Sequence, residues 1–218
     1  MPLDFEQARH AMVEQQVRPW EVLDSRVLDV LGEIRREDFV APRHRKLAFA
    51  DLALPLEHGE FMLKPTIEGR ILQALDLAPE AEVLEIGTGS GFLTACLARL
   101  ARAVTSIDVH ADFVERARAR LQALGISCAR IEQADALSFA PGRLYDAVAV
   151  TGAVATLPEH FRSWLKPGGR LFCVQGLSPA QEAVTLTRNA DDRFGIESLF
   201  ETDIPYLRGA APVARFAL

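Results

Sequence analysis

"EVLEIGTGSGF", residues 82–92, sets a short β-prone run directly before three alternating glycines, Gly87, Gly89 and Gly91. The pattern resumes as the helical stretch "GFLTACLARLA", so the local reading is strand, tight turn, helix. Downstream the alternation repeats: "AVTSIDV" then "ADFVERARARLQAL", a weaker strand around "CARIEQ", "YDAVAV" then the short helix "TLPEHFRSWL", and last the strand "GRLFCVQG". Parallel strands need crossovers, and a helix is the usual one, so this spacing predicts an α/β fold with a doubly wound, mostly parallel sheet. Beyond Gln181, "AVTLTR" and "GIESLF" read as further strands whose order the pattern does not give.

Upstream of the glycines the periodicity is different. Apolar residues recur at helical spacing from Asp4 to Phe39, interrupted at Pro19, with Asp24 or Ser25 placed to cap a second helix. A Pro-rich stretch of ordered loops follows, and Pro65 stands in the first turn of a helix that carries Ile67, Ile71, Leu72 and Leu75 on one face.

Composition narrows the function. The chain has 218 residues, 49% of them hydrophobic, enough for one ample core. A net charge of −6 argues against nucleic acid as a partner, since phosphate binding needs a dense cationic surface; the basic runs at Pro42–Lys46 and Glu115–Arg120 read as solvated faces. The acidic start and the shortness of the longest uncharged stretch, residues 147–158, predict a soluble cytoplasmic protein with no membrane partner. Cys96, Cys128 and Cys173 are widely spaced among apolar neighbours and are expected to be buried reduced thiols. No ligand set stands at metal-site spacing, so no metal is expected.

The glycine loop discriminates between ligands. A phosphate-cradling loop needs Gly-Lys-Ser/Thr, and the three lysines, Lys46, Lys64 and Lys166, all lie elsewhere. In a dinucleotide fingerprint counted from Gly87, Phe92 falls where a small residue belongs, and Glu85 would face a pyrophosphate, which weakens that reading. The remaining pattern, Glu85-Ile-Gly87-Thr88-Gly89-Ser90-Gly91, resembles the first motif of class I S-adenosylmethionine-dependent methyltransferases. Asp108 ends the second strand, where a carboxylate can hold both ribose hydroxyls. The resemblance further implies that Asp135 meets the adenine amino group, that Val109 and Ala136 complete the cofactor site, and that "LKPGGRL" is the turn before the fifth strand. S-adenosyl-L-methionine is the cofactor it implies, on a Rossmann-like sheet with an N-terminal helical cap.

The segments "MVEQQVRPWEVLDSRVLDVLGEIRREDFVAP" and "LAFADLALPL" are similar to the cap of protein-L-isoaspartate O-methyltransferases, a resemblance that covers roughly residues 12–176. It implies methyl transfer to a carboxylate of L-isoaspartyl residues in damaged proteins. It also implies two regions: residues 1–64 as cap and substrate-side loops, residues 65–218 as the cofactor-binding domain with C-terminal strands. One stretch departs. Where that family carries Gly-Gln-Thr-Ile-Ser-x-Pro, this chain reads "HGEFMLKP", so Glu60, Phe61 and Leu63 stand at the Gln, Thr and Ser positions of the groove. The family's Phe-Val-Pro-Leu element near the C-terminus has no clear counterpart in "IPYLRGAAPVARFAL".

Two alternatives stay open: a methyltransferase acting on another acceptor, such as a small molecule, and a non-catalytic module that binds the cofactor. For catalysis, Lys64 is a candidate to steer a carboxylate, with a surface lysine as the plain alternative. His58 is a candidate base for a hydroxyl acceptor. Asp51 matches a family position beside the groove, with helix capping an equal contender, and Trp20 and Phe61 are candidate groove aromatics. Oligomeric state is not readable.

Overall fold

The structure, a computed structural model, describes residues 3–212; the end of the tail, 213–218, lies outside them. The chain opens with α1 (Phe5–Met12), whose N-terminus is capped by the Asp4 carboxylate accepting from the amides of Glu6 and Gln7. A π-turn, Val13–Val17, and a 3₁₀ turn at Pro19 end this segment before α2 (Ser25–Glu33). Asp24, rather than Ser25, caps α2 by accepting from Arg26 N at 2.9 Å. A two-residue hairpin, β1 (Leu54–Pro55) and β2 (Phe61–Met62), precedes α3 (Pro65–Leu75).

The sheet comprises β3 (Glu82–Ile86), β4 (Ala103–Asp108), β5 (Ala129–Gln133), β6 (Tyr145–Val154), β7 (Leu165–Leu177), β8 (Ala180–Arg188) and β9 (Phe194–Thr202). Their spatial order is β5-β4-β3-β6-β7-β8-β9. The first five are mutually parallel, and the two tail strands add as an antiparallel meander. The doubly wound, mostly parallel sheet of the sequence reading is therefore present, and the tail order it lacked is a simple meander. Crossovers run through α4 (Phe92–Leu100), α5 (Ala111–Ala123) and α6 (Glu159–Arg162), the last shorter than "TLPEHFRSWL" suggested. β7 starts earlier than expected and takes in the "LKPGG" stretch.

Strand alternation sends successive side chains to opposite faces, and both faces are covered. Val83, Val104 and Ala147 face a core that also holds Met12, Val17 and Leu31 of the cap together with Ile71, Leu72 and Phe92. Leu84, Ile86, Val148 and Val150 face a second core with Phe161 and Trp164. The cap thus shares one continuous core with the sheet across the expected boundary at residue 64. No helix among the described residues is long and apolar enough to cross a membrane.

Of the three thiols, Cys96 and Cys173 are buried and Cys128 is half-buried, against the expectation for all three, because it sits at the start of the edge strand β5 with Sγ 3.4 Å from Ala98 O. Burial raises the Cys96 thiol and pushes Cys173 up to about 12, so neither is a thiolate nucleophile near neutral pH.

Candidate active site

In an open parallel sheet the ligand crevice lies outside the carboxyl ends of the strands, where the strand order reverses. Here β3 lies between β4 and β6, and a cleft opens where these strands end. The glycine loop forms its floor. Gly87 N donates to Ile107 O at 2.8 Å, which holds the turn against β4. Gly87 has φ +94°, and a Cβ there would lie 2.3 Å from Thr151 Oγ1. That hydroxyl is held in place by donating toward the carbonyls of Ile86 and Gly87, so only glycine fits.

Asp108 receives the next two backbone donors. Its Oδ2 accepts from Gly89 N at 2.8 Å and its Oδ1 from His110 N at 2.9 Å. A carboxylate offers about four lone-pair positions, so two stay available on the side that lines the cleft. Asp135 fixes its own turn by accepting from Leu137 N at 2.9 Å and also lines the cleft, with Val109 and Ala136.

Four of the expected cofactor contacts lie outside the lining. Glu85 shares the Val83 face of β3 and points beneath α4, where its Oε2 accepts from Thr94 Oγ1 at 2.5 Å and Ser106 Oγ at 2.6 Å. It is fully buried, and that desolvation pushes its carboxyl up to about 8, the two hydroxyl donors pulling weakly the other way. Thr88 Oγ1 lies 2.6 Å from Ser106 Oγ of β4, and Ser90 Oγ accepts from Phe92 N at the start of α4, so both hydroxyls are engaged within the protein. Gly91 is a packing glycine: a Cβ would lie 2.9 Å from Ala117 Cβ, where α4 crosses α5.

The acceptor side comes from the β1–β2 hairpin. Glu60, Phe61 and Leu63 all line the cleft, as the resemblance implied. A buried cation holds the backbone at Leu63: Arg36, with no exposed surface, donates to Leu63 O at 2.6 Å, to Ala48 O at 2.8 Å and to the Glu68 carboxylate. Burial pushes Glu68 up to about 7 against the opposing pull of Arg36.

The other candidates sit elsewhere. Asp51 Oδ1 accepts from Thr66 Oγ1 at 2.7 Å, holding the first turn of α3, which favours the capping alternative. Lys64 precedes α3 outside the lining. His58 lies at the rim, with Nε2 2.9 Å from Asp112 Oδ1 and its ring stacked on His110 at 4.0 Å. Trp20 packs edge-on against Phe200 of β9 and lies outside the cleft lining.

The cleft also holds residues that sequence reasoning missed. His110 and Phe113 lie just after Asp108 and were within reach of a local reading; Thr151 interrupts the apolar run of β6. Tyr206, Leu207 and Arg208 come from the tail, which folds back because Ala153 exchanges backbone hydrogen bonds with Pro205 O and Leu207 N, each at 2.8 Å. Nothing local marks them, although "IPYLRG" occupies the place where a counterpart of Phe-Val-Pro-Leu was sought.

A family model for protein-L-isoaspartate(D-aspartate) O-methyltransferase matches residues 7–206. Protein-L-isoaspartate O-methyltransferase 1 of Rhodopseudomonas palustris (strain HaA2) is 38% identical over 197 residues, covering 89% of this chain and 80% of its own. The corresponding protein of Methylorubrum extorquens (strain PA1) is 37% identical over 208 residues, covering 94% and 91%. In fold, the chain is similar to a putative protein-L-isoaspartate O-methyltransferase from Plasmodium falciparum solved with S-adenosyl-L-homocysteine, with a TM-score of 0.78 at 18% identity over 91% of this chain and 97% of that one. With a matching model over most of its length and relatives above 30% identity across both chains, this chain belongs to the protein-L-isoaspartate(D-aspartate) O-methyltransferase family, enzymes that use S-adenosylmethionine.

Proposed function

We propose that the chain methylates the free carboxylate of L-isoaspartyl residues in proteins or peptides, taking the methyl from S-adenosyl-L-methionine. The observation that carries this reading is that one cleft is lined both by Gly87, Gly89, Asp108 and Asp135 and by Phe61, Leu63 and Arg208. The residues present fit the donor. Gly87 and Gly89 leave backbone open to a bulky amino acid, Asp108 keeps lone pairs for ribose hydroxyls, and Asp135 offers an acceptor to the adenine amino group. When bound, S-adenosylmethionine supplies an electrophilic methyl on a positive sulfur.

The chain's own residues have a modest chemical task. An aspartyl-type carboxylate has a pKa near 4 and is ionised at neutral pH, so no general base is required. Transfer forms an O–CH₃ bond as the S–CH₃ bond breaks, and the carboxylate charge is neutralised against the sulfonium. What remains is alignment, and orientation alone can supply most of the barrier reduction. Phe61 and Leu63 exclude water from that line without donating to the acceptor. Arg208 is the one permanent cation in the lining among the described residues, so it, rather than the candidate Lys64, is the residue placed to steer the acceptor carboxylate.

A second reading, another acceptor of more apolar character, is favoured by Phe61, 43% exposed at the cleft in place of a hydroxyl residue. Transfer of labelled methyl to an L-isoaspartyl peptide, with the L-aspartyl isomer as control and a base-labile ester as readout, separates the two. Selective ester formation supports the repair activity. Cofactor binding without transfer rejects it and redirects the search to other acceptors or to a non-catalytic module.

A further inference from the structure

The rim of the cleft carries a cluster that the methyl-transfer reading does not use. His58, from the turn between β1 and β2, and His110 and Asp112, from the start of α5, bring one donor atom each within 4.8 Å of one another. Residues 58, 110 and 112 have no ligand-motif spacing; only the docking of the hairpin on α5 brings them together. We propose that these three residues, with Glu60 as a fourth ligand, form a binding site for a divalent transition-metal ion of the Zn²⁺ class that clamps the β1–β2 hairpin to α5 at the mouth of the cleft.

Four observations carry it. Two imidazoles and carboxylate oxygens are the donor set that borderline ions such as Zn²⁺, Co²⁺ and Ni²⁺ select. His110 Nε2 is buried without a hydrogen-bond partner, the Glu60 Oε1 atom standing 3.6 Å away, and a buried polar atom left unpaired calls for an explanation that a bound ion supplies. His58 holds a left-handed backbone, φ 60°, uncommon for a residue with a side chain, and this is the conformation that carries its ring over α5. Finally, Arg116 bonds Asp112 Oδ2 at 2.5 Å and Glu57 Oε1 at 2.8 Å, which orients Asp112 and leaves its Oδ1 facing the histidines, as the outer groups of metal sites do.

The rings now lie parallel, 3° apart, so their in-plane lone pairs run side by side. Capture of an ion requires rotation of the His58 ring, which is half-exposed and gives up its bond to Asp112 Oδ1 and its stacking on His110. Ligand atoms on one tetrahedral ion stand about 3.3 Å apart, so the cluster closes by roughly 1.5 Å. The hairpin also carries Glu60, Phe61 and Leu63 into the cleft wall, so the clamp slows ligand escape.

The test is calorimetric titration of the untagged full chain with Zn²⁺ at pH 7.5, repeated with His58→Asn, Asp112→Asn and the distant control His44→Asn. Asn tolerates a left-handed backbone, so the His58 variant keeps its turn. The expected result is one equivalent bound by the parent and by His44→Asn, with affinity reduced about tenfold or more in the other two. Co²⁺ absorption in the visible gives the same ranking without reference to catalysis. Dissociation of S-adenosylhomocysteine should be slower with Zn²⁺ in the parent and unchanged by it in His58→Asn. Absence of binding at millimolar Zn²⁺, or equal affinity in parent and His58→Asn, overturns the site; an unaltered dissociation rate overturns the clamp.

Discussion

Asp108 accepts the Gly89 amide at 2.8 Å, so the carboxylate at the end of β4 and the glycine turn after β3 are one unit. The oxygens that shape the loop are the same ones that face the cleft. Asp108→Asn would replace one of these acceptors by an NH₂ group facing the amide of Gly89 or His110, a donor set against a donor. A hydrogen bond to a charged group is worth about 1.5–3 kcal/mol, so the expected loss of S-adenosylhomocysteine affinity is roughly tenfold to a hundredfold. Titration calorimetry measures it; affinity within twofold of the parent would remove Asp108 from the ligand site.

Gly87 faces Thr151 closely enough that one methyl changes both residues. Gly87→Ala puts a Cβ 2.3 Å from Thr151 Oγ1 and adds a side chain at φ +94°. A destabilisation of about 1–3 kcal/mol is expected, read as a lowered melting temperature, together with weaker cofactor binding. Adding Thr151→Ala to this variant removes the struck oxygen and should restore part of the stability. No recovery in the double variant would mean that backbone strain, rather than the collision, dominates.

How much of this was legible follows from where each signal lies. The parallel sheet was, because each strand and crossover helix is a local pattern, from "EVLEI" through "GRLFCVQG". The cleft's Asp108 and Asp135 were, the first because it ends β4 and the second through its match to a family position just after β5. Glu85 was misplaced because motif position does not say which face of β3 a side chain takes; the alternation with Val83 sends it under α4. Arg208 was missed because its place depends on the tail pairing with Ala153, a contact between distant segments that no local pattern announces.

The position of Glu85 has a consequence for stability. In the unfolded chain its carboxyl titrates near 4.5, and burial pushes it up to about 8 in the fold. Between these values the folded chain binds the extra proton, so stability falls as pH rises from about 4.5 to 8 and levels off above. Glu85→Gln carries no titrating proton there. The gap in melting temperature between Glu85→Gln and the parent should therefore widen in the variant's favour from pH 5 to pH 8, the Glu68 contribution being common to both proteins and cancelling from the gap. Parallel profiles for the two proteins would show that Glu85 stays ionised.

Arg208 is the sharpest test of how a groove without the Thr and Ser hydroxyls handles a carboxylate. An exposed guanidinium in the cleft lining contributes chiefly by attracting and orienting an anion, a role distinct from holding the cofactor. Arg208→Ala is expected to raise KM for an L-isoaspartyl peptide about tenfold, with S-adenosylhomocysteine affinity within twofold of the parent. Arg208→Lys keeps the charge but loses the planar fork, so it should recover part of KM and less of kcat. Rising salt should raise KM in the parent and much less in Arg208→Ala, since an exposed charge is screened within about 10 Å at 0.1 M. If Leu63→Ser instead restores the rate in the absence of Arg208, the missing hydroxyl was limiting and the guanidinium is a bystander. If Arg208→Ala leaves KM unchanged while Phe61→Ala lowers turnover, alignment rests on the apolar wall alone, and the acceptor is one that the wall recognises by shape rather than by charge.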